Sequence, residues 1–465
     1  MKYKGLEKKS FTEHKKLFAG ILLVFALLSS GFSQDLAPFL IILVLGACLA
    51  TLVSTNFGLS ILIFSMLLSP ELEVSQVPQR AVTIRLEDFL VGAVFFTWLA
   101  RMAILKGVGL FRRSMLNRPL STYTAILLFS TLFAFQQGGL KGKGAQFFLL
   151  KYVEYYVVFF MFFNNVTSKK QVQRFLIFFL ITGLCVCFCA LNLYGKHERL
   201  TAPFEGKAAE PGSLGGYLLI QIAVLLGFLL HSDWPKHRLV LLGLLILMIV
   251  TLVLSTSRGA LFAFAPLYLA ATCLSPRKRV TLMVVFLCVV FLGYQFVPPR
   301  ILQFILEAFS ASQGGKVYTI GSQKVEIGAS GAARVETWKF VLSMWREKPI
   351  FGYGITGVGI VDSQFVRTLG EVGLVGFSVF IWLLVLIFKA GFRAYRSGDP
   401  LTRSLGVGVI LATTGLVVQG ISANTFIIVR IMEPFWFLVA LTLGMTRLSE
   451  EASEKKGDTL KVKAA

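Results

Sequence analysis

Arg258 is the residue whose type and setting point most directly to chemistry. It stands in a short polar turn, Ser255 to Gly259, between two long apolar runs, and no acidic residue lies near it in the sequence. An arginine located within the membrane usually marks the pathway of a substrate or ion, or a binding site for an anion. A guanidinium matches phosphate oxygens in a bidentate manner, so a phosphate is the favoured anion. The alternative is a boundary arginine that reaches lipid headgroups.

Other chemistry-bearing patterns are scarce. The sequence has no P-loop, no G-x-S-x-G and no H-E-x-x-H. All six cysteines lie inside apolar runs with no histidine or carboxylate close by, so neither a metal site nor a disulfide is predicted. Lys151 and Glu154, near the start of one apolar run, could pair within the membrane.

The elements that must position Arg258 are membrane spans. The chain has 465 residues, of which 55% are hydrophobic and 15% are charged, whereas soluble domains carry about a quarter charged residues. Recurrent apolar runs predict an all-α integral membrane protein of about fourteen transmembrane helices. The expected spans are 17–33, 36–53, 57–69, 88–104, 120–135, 149–166, 174–194, 214–231, 238–255, 259–275, 280–297, 371–391, 404–423 and 425–446.

The charge pattern predicts the orientation of these spans. The formal net charge is +22, but its lysines and arginines sit in short clusters between apolar runs, which is typical of the positive-inside rule and not of a nucleic-acid-binding face. One alternation of inner and outer loops, with the N-terminus inside, puts all of these clusters on the cytoplasmic side. It places both termini in the cytoplasm and the Arg258 turn on the outer side, so the working face is expected to point outward.

Four parts of the chain follow from this topology. They are helices 1–11 with their outer loops (1–297), a long structured extracytoplasmic loop (298–370), helices 12–14 (371–446) and a polar cytoplasmic tail (447–465). The other outer loops are 70–87 and 195–213. In the long loop, 300–312 is expected to form an interfacial helix, 316–327 a small hairpin and 332–348 an amphipathic helix.

Several motifs, in their order and spacing, resemble the O-antigen ligase/polymerase superfamily. The turn S-x-S-R-G is one, and the upstream loop from Glu198 to Tyr217 is another. A third is R-x-x-x-W followed by P-x-x-G-x-G, carried here by Arg334, Trp338, Pro349, Gly352 and Gly354. The family then has a histidine, a small polar residue, nine others and G-x-x-G. This sequence keeps that spacing through Ser363, Gly373 and Gly376 but has Asp362 in place of the histidine.

The resemblance implies a metal-independent glycosyltransferase with a GT-C-like fold and no cofactor. The implied donor is a glycan on undecaprenyl pyrophosphate, presented at the outer face and transferred to an acceptor glycan. By position, Arg258 would bind the pyrophosphate with help from Arg199 and Arg334, and Asp362 would stand where the family's base stands. Arg367, shortly after Asp362, is a further candidate for substrate binding. The structural alternatives are a helix cap for Asp362, a solvated face for Arg334 and ordinary ion pairs for Arg199.

The favoured function is therefore a polysaccharide polymerase of the bacterial cytoplasmic (inner) membrane. The alternatives are an O-antigen ligase that transfers the glycan to lipid A core, a solute transporter, and a non-catalytic assembly scaffold. Against a transporter, the polar features cluster in outer loops and turns, with no two-fold repeat. Besides the bilayer, a flippase and a chain-length regulator are the expected partners.

Overall fold

The computed structural model describes residues 36–69, 71–77, 80–105, 112–138, 144–194, 200–203, 210–231, 237–284, 286–287, 316–320, 323–327 and 329–464. The expected span at 17–33, most of that at 280–297, the expected interfacial helix at 300–312, and Arg199 lie outside these residues.

Thirteen α-helices whose bounds lie in the described ranges are numbered here in chain order; residues 279–284 and 286–287 are also helical. The numbered helices are α1 Leu36–Val53, α2 Thr55–Leu68, α3 Leu86–Leu105, α4 Asn117–Gln136, α5 Gly144–Asn165, α6 Lys169–Asn192, α7 Pro211–His231, α8 Arg238–Leu254, α9 Arg258–Leu274, α10 Ala329–Glu347, α11 Gln364–Tyr395, α12 Pro400–Gln419 and α13 Val429–Ala464. All except α10 overlap a predicted span, because each is built on one of the apolar runs.

Seven of the described helices, α4 to α7 and α11 to α13, are long and apolar enough to cross a membrane. Three more, α2, α8 and α9, are apolar but shorter. A multi-spanning helical protein is therefore supported, whereas the count of fourteen and the GT-C-like arrangement stay predictions.

Two antiparallel hairpins are the exceptions to the predicted all-α class. Strands β3 Lys316–Ile320 and β4 Gln323–Ile327 pair around residues 321–322, which confirms the predicted hairpin. Strands β1 Glu71–Val77 and β2 Arg80–Arg85 form a second hairpin in the loop 70–87, where no secondary structure was predicted. Its alternation is interrupted by a register shift between Glu73 and Ser75, which makes the period-2 pattern hard to recognise in the sequence.

The centre of the helical bundle is formed by α7, α12 and the apolar part of α13. A side chain at Gly227 of α7 would lie 2.4 Å from the Ser404 carbonyl oxygen, so α7 and α12 meet at backbone distance. Small residues permit such close approach between membrane helices. This packing fixes the far end of α12, and the loop that follows it, relative to the start of α7.

The start of α12 is capped by Asp399. Its carboxylate accepts from the Thr402 N–H at 3.0 Å and pairs with the Lys169 ammonium at the start of α6. Partial burial acts to raise the pKa of Asp399, but these two donors hold it below its usual value. An ionised cap at a helix N-terminus favours the helix.

Candidate active site

The Arg258 turn is a short, hydrogen-bonded connection between α8 and α9. Ser255 Oγ donates to the Leu252 carbonyl oxygen at 2.7 Å and accepts from the Ser257 N–H at 3.4 Å. Thr256 has a left-handed φ of 52°. Ser255 and Ser257 are buried, and the partly buried Arg258 is the first residue of α9. The guanidinium thus stands at the positive end of a helix dipole, which suits an anion.

Close packing places this turn between α7 and the loop after α12. A Cβ atom on Gly215 of α7 would lie 2.5 Å from Ala260 Cβ, and one on Gly259 would lie 2.8 Å from Ser422 Oγ. Gly259, the last residue of the S-x-S-R-G motif, therefore allows α9 to start directly against the loop 420–424.

The loop 420–424 also holds the start of α11. The Gln364 N–H donates to the carbonyl oxygens of Gly420 at 2.8 Å and Ala423 at 3.1 Å. The Gln364 side chain accepts from the Phe426 N–H at 3.1 Å. Gln419, at the end of α12, donates to the Gly212 carbonyl oxygen at 2.9 Å. The N-termini of α7, α9 and α11 consequently meet around this loop.

Asp362 and Arg334 approach each other at the start of α11. Arg334 Nε lies 3.7 Å from Asp362 Oδ2, with 37% and 56% of the two side chains exposed. The helix cap is Ser363, so the cap alternative for Asp362 is wrong. An exposed pair at this distance is weak. Both groups therefore remain accessible to a substrate.

Arg367 has different surroundings. Its side chain is buried, its Nε donates to Glu371 at 2.9 Å, and its guanidinium lies 5.4 Å from the centre of the Phe148 ring. The same Glu371 oxygen accepts from the Thr356 N–H at 2.8 Å. Arg367 thus fixes the carboxylate that anchors the glycine-rich loop, residues 351–357.

Arg199 lies outside the described residues, but the segment just after it is held firmly. Leu200 and Ala202 are buried. The buried Arg430 of α13 donates to the carbonyl oxygens of Pro203 at 2.9 Å, Leu67 at 3.2 Å and Ser69 at 3.3 Å. Arg430 was not a candidate in the sequence, although a charged residue in an apolar run is a signal of such a role.

A cluster of buried ionic side chains lies around Arg430. Arg85 pairs with Glu87 at 2.5 Å, and Lys151 pairs with Asp88 at 2.5 Å and with Glu154 at 3.0 Å. The last contact confirms the predicted Lys151–Glu154 pair. Glu433, three residues after Arg430 in α13, is fully buried, and neither of its carboxylate oxygens has a hydrogen-bond partner among the described residues. The two contacts of Lys151 join α3 to α5, because a buried charge must be paired to be tolerated.

The P-x-x-G-x-G stretch docks onto a break in α11. The Tyr353 and Gly354 N–H groups donate to the carbonyl oxygens of Gly370 at 3.0 Å and Glu371 at 2.8 Å, and the Leu374 N–H donates to Pro349 at 2.8 Å. The break lies at Gly373, whose φ of 63° is left-handed. The motif glycines therefore shape the backbone next to Asp362.

Substitution of Gly373 by alanine is expected to destabilise the protein by about 3–5 kcal/mol, from strain at positive φ together with overpacking. A Cβ atom there would lie 2.2 Å from the Ile350 carbonyl oxygen. Gly359 is the matched control, because its φ is 75° and a Cβ atom would meet nothing within 4 Å. Gly359→Ala should cost about 1–2 kcal/mol. Thermal unfolding in detergent measures both, and equal losses of Tm would contradict the docking described here.

Helix α10 is tied to the same loop, which fixes Arg334. Trp338 packs with the small buried cluster of Val341, Val358 and Val361. Tyr353 donates to Glu347 at 2.8 Å; partial burial and this hydrogen bond raise the pKa of Tyr353 to about 12, so it stays a donor at neutral pH. Arg334 is thereby carried by a helix anchored to the loop that precedes Asp362.

The comparison with known proteins gives one family match, which covers part of the chain. Residues 243–381 match the family model described as O-antigen ligase. The matched segment contains Arg258, Arg334, Asp362 and Arg367. No curated protein matches the chain. The family match supports an activity of the O-antigen ligase/polymerase type, and it confirms the resemblance of this chain, through residues 243–381, to the O-antigen ligase/polymerase superfamily.

Proposed function

We propose that the protein is a glycosyltransferase that moves a glycan from undecaprenyl pyrophosphate to a second glycan at the outer face of the bacterial cytoplasmic membrane. The observation that carries the proposal is the convergence on the loop 420–424. That loop contacts Gly259, next to Arg258, and bonds to Gln364, which follows the Asp362–Arg334 pair. A cation suited to phosphate and an accessible carboxylate thus belong to one end of the helical bundle.

On the donor side, the site would act by electrostatic stabilisation of the leaving group. During transfer the bond between the anomeric carbon and the phosphate oxygen breaks, and negative charge develops on the departing pyrophosphate. Arg258, Arg334 and Arg199 are the groups proposed to stabilise that charge. Fixed cations and helix N-termini do this without reorganisation, and this environment supports the proposal of catalysis without a metal.

The acceptor half would use Asp362 as the general base. The acceptor hydroxyl oxygen forms the new bond to the anomeric carbon, and its proton passes to the Asp362 carboxylate. This carboxylate lies 3.7 Å from Arg334. Donor phosphate competes for Arg334, so donor binding would release the carboxylate towards the acceptor. Arg367, paired with Glu371, would position the loop beside the donor and would not bind it directly.

A polymerase is the first choice among such enzymes, because the family's ligases have histidine where this chain has Asp362. Ligation to lipid A core is the second candidate. Against a transporter, the candidate polar residues cluster in outer loops and turns, with no two-fold repeat in the sequence. A non-catalytic scaffold would have no need for the accessible Asp362 carboxylate beside Arg334. The donor lipid and the bilayer are the primary partners, and a flippase and a chain-length regulator are proposed to act before and alongside the enzyme.

Purified protein, mixed with an undecaprenyl-pyrophosphate oligosaccharide of the matching repeat unit, tests the proposal. A ladder of lengthened glycans on a gel is expected from a polymerase. Product only after lipid A core is added would instead identify a ligase. Absence of turnover with both acceptors would overturn the enzymatic proposal.

A further inference from the structure

One face of α11 changes character towards its C-terminal end. Ile381 and Val385 are exposed apolar residues, and at the same helical spacing they are followed by Lys389, Phe392 and Arg396, which are also exposed. Residues three and four apart share one side of a helix. A stripe suited to acyl chains therefore continues directly into a cationic surface.

The cationic surface is a concave cradle. Lys389, Phe392, Arg393 and Arg396 line a depression of about 410 Å³. Arg393 is bonded to Glu450 of α13 through two contacts, at 2.7 and 2.9 Å. Among the described side chains, no carboxylate forms an ion pair with Lys389 or Arg396. The cradle therefore carries two positive charges, those of Lys389 and Arg396, that Glu450 does not balance.

We propose that this cradle binds the phosphate headgroup of an anionic phospholipid whose acyl chains lie along the Ile381–Val385 stripe. Ile381 and Lys389 are separated by about 12 Å along the helix axis, which is close to the thickness of about 15 Å for one leaflet of the hydrocarbon core. Phe392 lies between the two cations, where an aromatic ring suits the membrane interface. The charges, the apolar stripe and their separation all match one lipid molecule.

The cradle is independent of the glycan site. It lies at the end of α11 that is remote from Asp362, and α11 extends over 32 residues. The positive-inside rule, applied to the basic clusters between the spans, predicts that this end faces the cytoplasm. The lipid would hold α11 and α13 together at that end, because the cradle lies beside the Arg393–Glu450 contact that joins them.

Native mass spectrometry of the protein in an uncharged detergent, with phosphatidylglycerol or phosphatidylcholine added, tests the inference. Wild-type protein should retain phosphatidylglycerol in preference to phosphatidylcholine. The double variant Lys389→Gln/Arg396→Gln should lower the affinity for phosphatidylglycerol about 10- to 30-fold, because each cation near a membrane surface contributes about a factor of five.

The matched control is Arg118→Gln/Lys170→Gln, which removes two exposed cations from the same predicted side of the membrane. It should bind phosphatidylglycerol as the wild type does, and thermal unfolding without lipid should be unchanged in both double variants. The single variant Lys389→Gln, with an intermediate affinity expected, provides a second measurement if the double variant is unstable. Equal retention by wild type and the cradle variants, or equal binding of phosphatidylcholine, would overturn the proposal.

Discussion

Substitution of Asp362 by asparagine is expected to lower the rate of glycan transfer by about 10²- to 10⁴-fold, which is the usual contribution of a general base. Asparagine keeps the size of the side chain but cannot accept the proton of the acceptor hydroxyl. Since Asp362 is 56% exposed and the N-cap position of α11 is held by Ser363, the amount of folded protein in the membrane should not change. Initial rates of product formation, normalised to the protein in the membrane, measure the effect.

Two controls separate catalysis from the loss of an ion pair. Glu336→Gln removes another exposed carboxylate, from α10, and should leave the rate nearly unchanged. If Asp362 served only to hold Arg334, then Asp362→Asn would cost no more than Arg334→Gln, and the double variant would lose no more than Arg334→Gln alone. A general base instead predicts that Asp362→Asn lowers the rate further when Arg334 has already been replaced. Wild-type rates with Asp362→Asn would remove this residue from the base role.

Substitution of Arg258 by alanine is expected to lower the rate by about 10²- to 10³-fold, as loss of one donor aimed at developing charge usually does. Lysine at this position keeps the charge but not the bidentate geometry, so Arg258→Lys should recover only part of the activity. The rates are measured with saturating and with limiting donor, because a residue that binds pyrophosphate should also weaken donor binding.

The matched control for Arg258 is Arg346→Ala, which removes an exposed arginine from α10. It should retain the wild-type rate and donor affinity. A rate close to wild type for Arg258→Ala, with the protein folded in the membrane, would be incompatible with the proposed pyrophosphate site. Equal losses for Arg258→Ala and Arg346→Ala would indicate a general effect of surface charge.

Local sequence patterns predicted most of the helices, one hairpin and the Arg258 turn. The apolar runs predicted the positions of α1 to α9 and α11 to α13, because a membrane span needs a continuous run of about 20 apolar residues. The alternation of residues 316–327 predicted the β3–β4 hairpin. Arg258 was recognisable because a polar turn between two apolar runs is an unusual setting for an arginine.

Tertiary contacts gave other residues their roles. Arg334 and Asp362 are 28 positions apart in the sequence, and only the docking of the glycine-rich loop onto the break at Gly373 explains their approach. Arg367 was a further candidate in the sequence, yet burial beside Phe148 and pairing with Glu371 make it an internal support. Packing between distant elements decides which arginine is exposed. Composition and local residue spacing do not predict that packing.

Hydropathy and motif spacing are local properties, so they were sufficient to predict a helical membrane protein and to single out the Arg258 turn and the Asp362 carboxylate. The meeting of the starts of α7, α9 and α11 at the loop 420–424, and the contact of Arg430 with the segment after Arg199, appear only in the folded chain. These contacts are hydrogen bonds and, for α9, close packing between residues more than 50 positions apart. Such bonds form only after the helices have packed, since packing brings buried donors within reach of their acceptors.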